Sequence, residues 1–195
     1  MLRKSVVLCI IIIGLCARTQ AKSPAGIVLY FKSGDDIFLL LADHRESKRG
    51  WAAYGGGSDE GESVAQTAAR ETEEETRGYF PRKYLLGLIE SKDPVVDQDG
   101  FAMYFAEIPF VPAQLVTNNP LPSDDDVYVE RGPYAWIPYS QVRKYVEGSV
   151  DYKRKHPIEA GLMPAGNYTS WFWPIWLGSF RRAAESDALP WNTER

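Results

Sequence analysis

A single layered domain of α/β or α+β class is the fold the sequence predicts. Three observations predict it: strand-length apolar runs flank one amphipathic helix, more helical sequence follows, and 195 residues is the size of one globular domain. With 45% apolar, 13% aromatic and 25% charged residues, the chain has enough core-forming surface to exclude a disordered or collagen-like polymer. A net charge of −4 argues against an extended nucleic-acid track, whose affinity would come from clustered Lys and Arg.

Residues 1 to 21 read as a leader. Arg3 and Lys4 precede the apolar run Val6 to Leu15, and Thr19 and Ala21 are the small residues before a cut after Ala21, the order of a cleaved secretory signal peptide. The run is too short for an ordinary bilayer-crossing helix. The protein is therefore expected to be secreted or periplasmic, the alternative being a membrane anchor made by the retained segment. Both cysteines, Cys9 and Cys16, fall inside the leader, which excludes sulfur redox chemistry and cysteine metal sites from the mature chain. Removing Arg3, Lys4 and Arg18 from the 22 basic residues leaves 19 against 26 acidic ones, a net charge of −7.

In the remainder, residues 25 to 31 (AGIVLYF) and 36 to 42 (DIFLLLA) are expected as largely buried strands joined by a turn at Lys32 to Asp35. A polar stretch, Trp51 to Tyr54 and Gly55-Gly56-Gly57 then read as a loop entering a helix. Ser63 with Gln66 is a capping-box pattern, and Gly78 marks the stop. At about 100° per residue, Val64, Ala65, Ala68, Ala69, Thr72 and Thr76 share one small, weakly apolar side suited to a sheet. Residues 84 to 91 (YLLGLIES) and 100 to 108 (GFAMYFAEI) are expected as further strands, connected by 92 to 99. Prolines 109, 112, 120 and 122 punctuate an irregular region containing Asp124-Asp125-Asp126. A strand over 127 to 137, broken around Gly132-Pro133, a short helix over 138 to 147 and a last helix from about Pro174 through Glu185 complete the expectation.

The chemistry resides in Arg70-Glu71-Thr72-Glu73-Glu74-Glu75. Glu71, Glu74 and Glu75 occupy an arc of about 100° beside the alanine side of the helix. Crowded carboxylates repel, and near a helix C-terminus the dipole disfavours them too. A hard divalent cation such as Mg²⁺ or Mn²⁺ would offset both costs, because it takes oxygen ligands and bridges carboxylates to phosphates. Taken on the helix alone, a solvated acidic face is the other reading.

The spacing of Gly56, Glu62, Arg70-Glu71 and Glu74-Glu75 resembles the signature of the Nudix hydrolase family. Two positions depart from that pattern: Arg77 stands where the family has glycine, with Gly78 one place later, and Tyr54 stands where proline is common. The resemblance implies a Nudix-like α/β/α sandwich with a mixed central sheet, as a single domain over residues 22 to 195 with a C-terminal aromatic helical extension. It implies Mg²⁺- or Mn²⁺-dependent hydrolysis of a phosphoanhydride bond in a nucleoside diphosphate linked to another moiety. In that reading Glu74 and Glu75 are principal metal ligands, Glu71 ligates metal or orients water, Glu62 supports the metal shell, Gly56 gives backbone geometry or a carbonyl ligand, and Arg70 holds the carboxylates. A nonnucleotide polyphosphate such as a diphosphoinositol compound is an alternative substrate. A catalytically weak domain that binds a nucleotide or protein is the alternative from another class.

Substrate contacts are less specified. Arg45 is a candidate phosphate contact, and a solvated basic turn with Lys48 and Arg49 is the equal alternative. Trp51 is a candidate base-stacking residue or a packing aromatic, and Glu130 a candidate acid or general base returning to the cleft. His44 and His156 read as structural or surface residues, and Lys153 to His156 as a solvated basic patch that could attract phosphate. The cluster of Trp171, Phe172, Trp173 and Trp176 reads as core closure, a homodimer surface or a wall for a nucleobase. The expected partner is a phosphorylated small molecule, a nucleotide derivative.

Overall fold

The computed structural model describes residues 23–148 and 150–192; the leader and its expected cleavage site lie outside them. Strands β1 (Ala25–Ser33) and β2 (Asp36–His44) form an antiparallel hairpin with Tyr30 opposite Leu39. Along β1, Ile27 and Leu29 enter one core while Val28 and Tyr30 enter the other. Both sheet faces are covered, so the strand reads as one apolar run instead of an alternation. The next elements are β3 (Trp51–Ala52), α1 (Val64–Glu75), α2 (Arg82–Ile89), β4 (Val95–Val96), β5 (Ala102–Glu107) and α3 (Ala113–Thr117). After them come β6 (Arg131–Pro138), α4 (Tyr139–Val146), β7 (His156–Pro157), β8 (Trp171–Phe172) and α5 (Pro174–Glu185).

The strand order is β4-β5-β1-β2-β3-β8-β7, with β6 also paired to β2. Strands β1 and β5 run parallel, as do β3 and β8, and the other pairs are antiparallel, so the sheet is mixed. Ala68 and Ala69 of α1, Leu85 and Ile89 of α2 and Val116 of α3 cover one face. Val142 and Val146 of α4 and Leu177, Phe180 and Ala183 of α5 cover the other. This is the expected α/β/α sandwich. Among the described residues no helix is long and apolar enough to cross a membrane.

Three local expectations are corrected. Residues 84 to 91 are expected as a strand, whereas 82 to 89 form the helix α2. The buried residues of α2 are Leu85 and Ile89, four positions apart, and a short apolar run does not by itself separate that spacing from a buried strand. The connection over 92 to 99 contains a two-residue edge strand, Val95 pairing with Met103. Residues 126 to 129 form a 3₁₀ turn, and β6 runs unbroken through Gly132-Pro133, whose peptide bond is cis. The α4 and α5 boundaries agree with expectation.

The C-terminal aromatics close the core. Phe172 is fully buried and Trp176 nearly so, and Trp51 in β3 lies opposite Phe172. Trp51 donates Nε1 to the Thr169 carbonyl (3.0 Å) and has no exposed surface, so it offers no face to a ligand and its candidacy as a stacking residue falls. His156 is buried against Tyr145 and the Asp151 carbonyl, as a structural residue. Lys155 of the basic patch lies over the Trp171 ring at 3.5 Å, and Arg154 pairs with Asp151.

Candidate active site

The site begins with how α1 is seated. Ser63 accepts from the Gln66 N–H while the Gln66 side chain accepts from the Ser63 N–H, the full capping box. Ala68, Ala69 and Thr72 press this helix onto the sheet with no exposed surface, as the small-residue side foretold. The pressing brings Arg70 and Glu75, also buried, to the loop of Gly55 to Gly57.

That loop is stitched to β1 by reciprocal backbone bonds between Ala25 and Gly56, 3.0 and 3.1 Å. A Cβ on Gly26 would stand 1.9 Å from the Tyr54 carbonyl oxygen, so only glycine permits the approach. Gly56 is required for a different reason: its Cβ would lie 2.3 Å from Glu71 Oε2. The Glu71 carboxylate occupies the space that a side chain at 56 would fill.

Arg70 is the hub of the acidic cluster. Its Nε donates to Glu62 (2.9 Å), its Nη1 to both Glu71 and Glu74 (2.9 Å each), and its Nη2 to the Gly57 carbonyl (2.6 Å) and Glu62 (3.1 Å). Burial works against the Arg70 charge, but the bonds to Glu62 and Glu71 outweigh it and raise its pKa. Burial likewise opposes the charge of Glu62, yet Arg70, the Asp59 N–H and Thr67 hold its carboxyl below the usual range.

Glu71 behaves oppositely. Burial, with the charges of Glu75 and Glu74 adding to it, pushes the carboxyl up to about 7 in spite of Arg70. Burial also raises Glu74 and Glu75. Glu75 receives the Gly55 N–H at 2.8 Å and Arg131 Nη1 at 3.4 Å. Burial thus disfavours the charged form of these carboxylates, and a cation placed among them would offset that cost.

A cleft of about 600 Å³ brings together Glu71, Glu75, the three loop glycines, His44, Glu46, Asp126, Glu130 and Trp173. Glu130 and Asp126 both line the cleft. Arg45 does not line it; its guanidinium bonds the Val129 carbonyl (3.2 Å) and Tyr168 Oη (3.3 Å) behind that wall. Of the aromatic cluster Trp173 alone faces the cleft, edge-on to His44 at 5.0 Å and carrying Arg49 on its face at 5.5 Å.

The all-oxygen donor set of Glu71, Glu74 and Glu75 fits a hard divalent cation better than a soft one. Among the described residues no group of three or more His, Cys, Asp or Glu side chains stands at metal-holding spacing. In this arrangement Arg70 holds the Glu71 and Glu74 carboxylates and Arg131 holds Glu75. Of the backbone candidates, the Gly56 carbonyl accepts from Ala25 N, so the demonstrable part of Gly56 is geometry.

Arg131 was missed by sequence reasoning. It opens β6 at 2% exposure, and its Nη2 donates to the carbonyls of Ala42 (3.3 Å), Ala52 (2.9 Å) and Ala53 (3.0 Å). Its Nη1 bonds His44 Nε2 as well as Glu75, and His44 Nδ1 meets the Gly50 carbonyl at 2.7 Å. Burial, with Arg131 beside it, lowers the His44 pKa to about 3, so the imidazole is neutral. No spacing rule links positions 44, 75 and 131; β2–β6 pairing sets His44 opposite Arg131, and α1 brings Glu75 to the same guanidinium.

Sheet, glycine loop and acidic helix define an α/β/α protein with a Nudix box on its first helix. Residues 22–157 match the model of the NUDIX domain, and the chain belongs to that family. Membership carries hydrolase activity on nucleotide-linked phosphoanhydride bonds as its general class. Among solved structures, an Ap4A hydrolase of C. elegans in a binary complex is similar at 21% identity and a TM-score of 0.39, over 65% of this chain and 86% of that one. A MutT/nudix family protein of Enterococcus faecalis is similar at 16% identity and 0.40, over 83% and 61%. One of Listeria innocua is similar at 19% and 0.38, over 87% and 98%. No curated protein matches the chain.

Proposed function

We propose that the protein hydrolyses a phosphoanhydride bond in a nucleoside diphosphate linked to another moiety, with Mg²⁺ or Mn²⁺ as cofactor. The observation that carries this reading is the group of Glu71 and Glu74 on Arg70 and Glu75 on Arg131 and the Gly55 N–H, set beside the Gly55 to Gly57 loop, with Glu71 held up to about 7 by burial. Glu71, Glu74 and Glu75 would hold the cation, which neutralises diphosphate oxygens and makes bound water more acidic. Glu62 secures Arg70, and Arg70 keeps two carboxylates from splaying into solvent. Glu71 would orient the attacking water, with Glu130, which lines the cleft, as the candidate base, and with Trp173, whose ring carries Arg49, on the same lining. Arg45 contributes from the adjoining cavity. The leader, read as an export signal, would place this activity outside the cytoplasm.

The test is release of phosphate-containing products by the purified protein from a panel of diphosphate compounds, with Mg²⁺, Mn²⁺ or chelator. Turnover is expected only with metal, and Glu71→Gln or Glu74→Gln should lower it by about a hundredfold or more while circular dichroism stays unchanged. Full turnover in both variants sinks the reading. Nucleotide binding without turnover across the panel would make the domain a binding module instead.

A further inference from the structure

A second cavity, of about 310 Å³, lies behind the cleft wall and is lined by Arg45, Arg77 and Arg131 together with Thr117, Tyr134 and Tyr168. No Asp or Glu lines it. We propose that it binds a phosphate group, presented as a phosphomonoester or as inorganic phosphate. The inference goes beyond the hydrolase reading and does not depend on it, since it involves no metal.

Three independent features support it. Arg45 and Arg77 are half-buried and bond only neutral oxygens: Tyr168 Oη and the Val129 carbonyl for Arg45, the Asn119 carbonyl (3.2 and 3.3 Å) for Arg77. Among the described residues neither has a carboxylate partner, so each keeps N–H donors and a full charge for a ligand. Arg131, 98% buried by its 2% exposure, has an Nε with no hydrogen-bond partner. A guanidinium fork suits phosphate oxygens, and those of Arg45 and Arg77, with the unpartnered Nε of Arg131, around one acid-free space make a place where an anion is stabilised and a cation is not.

Arg77 gives the most specific argument. It sits just past α1 at φ 57°, in the left-handed region, where Gly78 N bonds Glu73 O (2.7 Å) and Arg77 N bonds Glu74 O (3.0 Å). This is a helix-closing position that glycine fills with least strain. The Nudix pattern has glycine there, and this chain places an arginine whose head lines the cavity. The helix stop does not use that side chain, which reaches the Asn119 carbonyl and lines the cavity.

The cavity is large enough for a phosphorylated group and far too small for a polymer. It adjoins the cleft: His44 and Glu46 line the cleft while Arg45 between them lines the cavity, and Val129, whose carbonyl Arg45 holds, lines the cleft. A phosphate remote from the scissile bond of a molecule in the cleft, or free phosphate, can be its source.

The experiment is calorimetric titration of the full protein with inorganic phosphate in excess chelator. Saturable binding is expected, with a Kd of about 1 mM or tighter, weakening as salt rises. Arg77→Gly should weaken it about tenfold, the loss of one charge-assisted contact, and Arg77→Lys should restore part of the affinity. Because glycine suits φ 57°, the glycine variant folds, and its circular dichroism serves as control. A rise in KM at unchanged kcat for substrates carrying an extra phosphate identifies the substrate as the source; an effect confined to inorganic phosphate identifies free phosphate. Absence of saturable binding to the chelated protein, or equal affinity in wild type, Arg77→Gly and Arg45→Gln, overturns the proposal. Loss of hydrolase activity alone does not, since the titration is run without metal.

Discussion

Replacing Arg131 by Met tests how the sheet and the acidic helix are joined. The methylene stem is largely kept, whereas bonds to His44, Glu75 and the carbonyls of Ala42, Ala52 and Ala53 are lost together. Breaking a buried ion pair by removing one partner costs about 3 to 5 kcal/mol, because the other charge stays behind. Glu75, at 6% exposure, would retain only the Gly55 N–H. Deprived carbonyls add about 1 kcal/mol each where no water reaches them. A loss of about 3 to 8 kcal/mol is therefore expected, according to how far water reaches those carbonyls, which is at the margin for a domain whose whole stability is about 5 to 15 kcal/mol. Urea unfolding followed by tryptophan fluorescence measures it. The double variant Arg131→Met with Glu75→Gln should recover about 2 kcal/mol or more, since the neutral amide removes the stranded charge. A single-variant loss below about 1 kcal/mol, or strict additivity in the double variant, would refute the argument that these two charges hold each other in place.

Two titrations of opposite sign are expected. His44 has its folded pKa lowered from 6.5 to about 3, so the unfolded chain takes the proton first. Its contribution is intact above 6.5 and falls as pH drops toward 3, by up to about 1.4 kcal/mol per pH unit; His44→Gln should flatten that acidic limb in urea titrations. Glu71 is raised from 4.5 to about 7, so the folded state holds its proton longer and loses stability as pH rises through that range. A cation needs the charged form, so the melting-temperature increment from Mg²⁺ should grow on going from about pH 6 to 8, and a flat or falling increment contradicts the assignment. Gly56→Ala places a Cβ 2.3 Å from Glu71 Oε2; displacement of that carboxylate should cut turnover about tenfold with little change in melting temperature, and wild-type turnover would show that Glu71 need not stand there.

Much of the fold was legible because its signals are local. The capping box at Ser63, the alanine side of α1, the β1–β2 apolar runs and the α5 boundaries are properties of neighbouring residues, and the structure reproduces them. Residues 84 to 89 were misread because four to six apolar residues fit strand and helix alike, and packing onto α1 and β5 decided the matter. At the site, the box spacing located Arg70, Glu71, Glu74 and Glu75, and the structure adds that the Glu71 carboxylate fills the space above Gly56. Trp51 and Trp173 carry the same side chain. The backbone direction at β3 buries the first, and the turn into α5 sends the second to the cleft.

The sequence by itself determined a layered domain of α/β or α+β class, a capped helix with three carboxylates on one arc, and the box whose resemblance implied the mixed sheet, because these signals are written in the spacing of nearby residues. Only the tertiary structure decided that Arg131 grips Glu75 and His44, that Arg45 turns away from the cleft, and that Arg77 joins both in an acid-free cavity. The three arginines lie 32 to 86 positions apart, and a charge acts through distance in space, which only strand pairing and helix packing set.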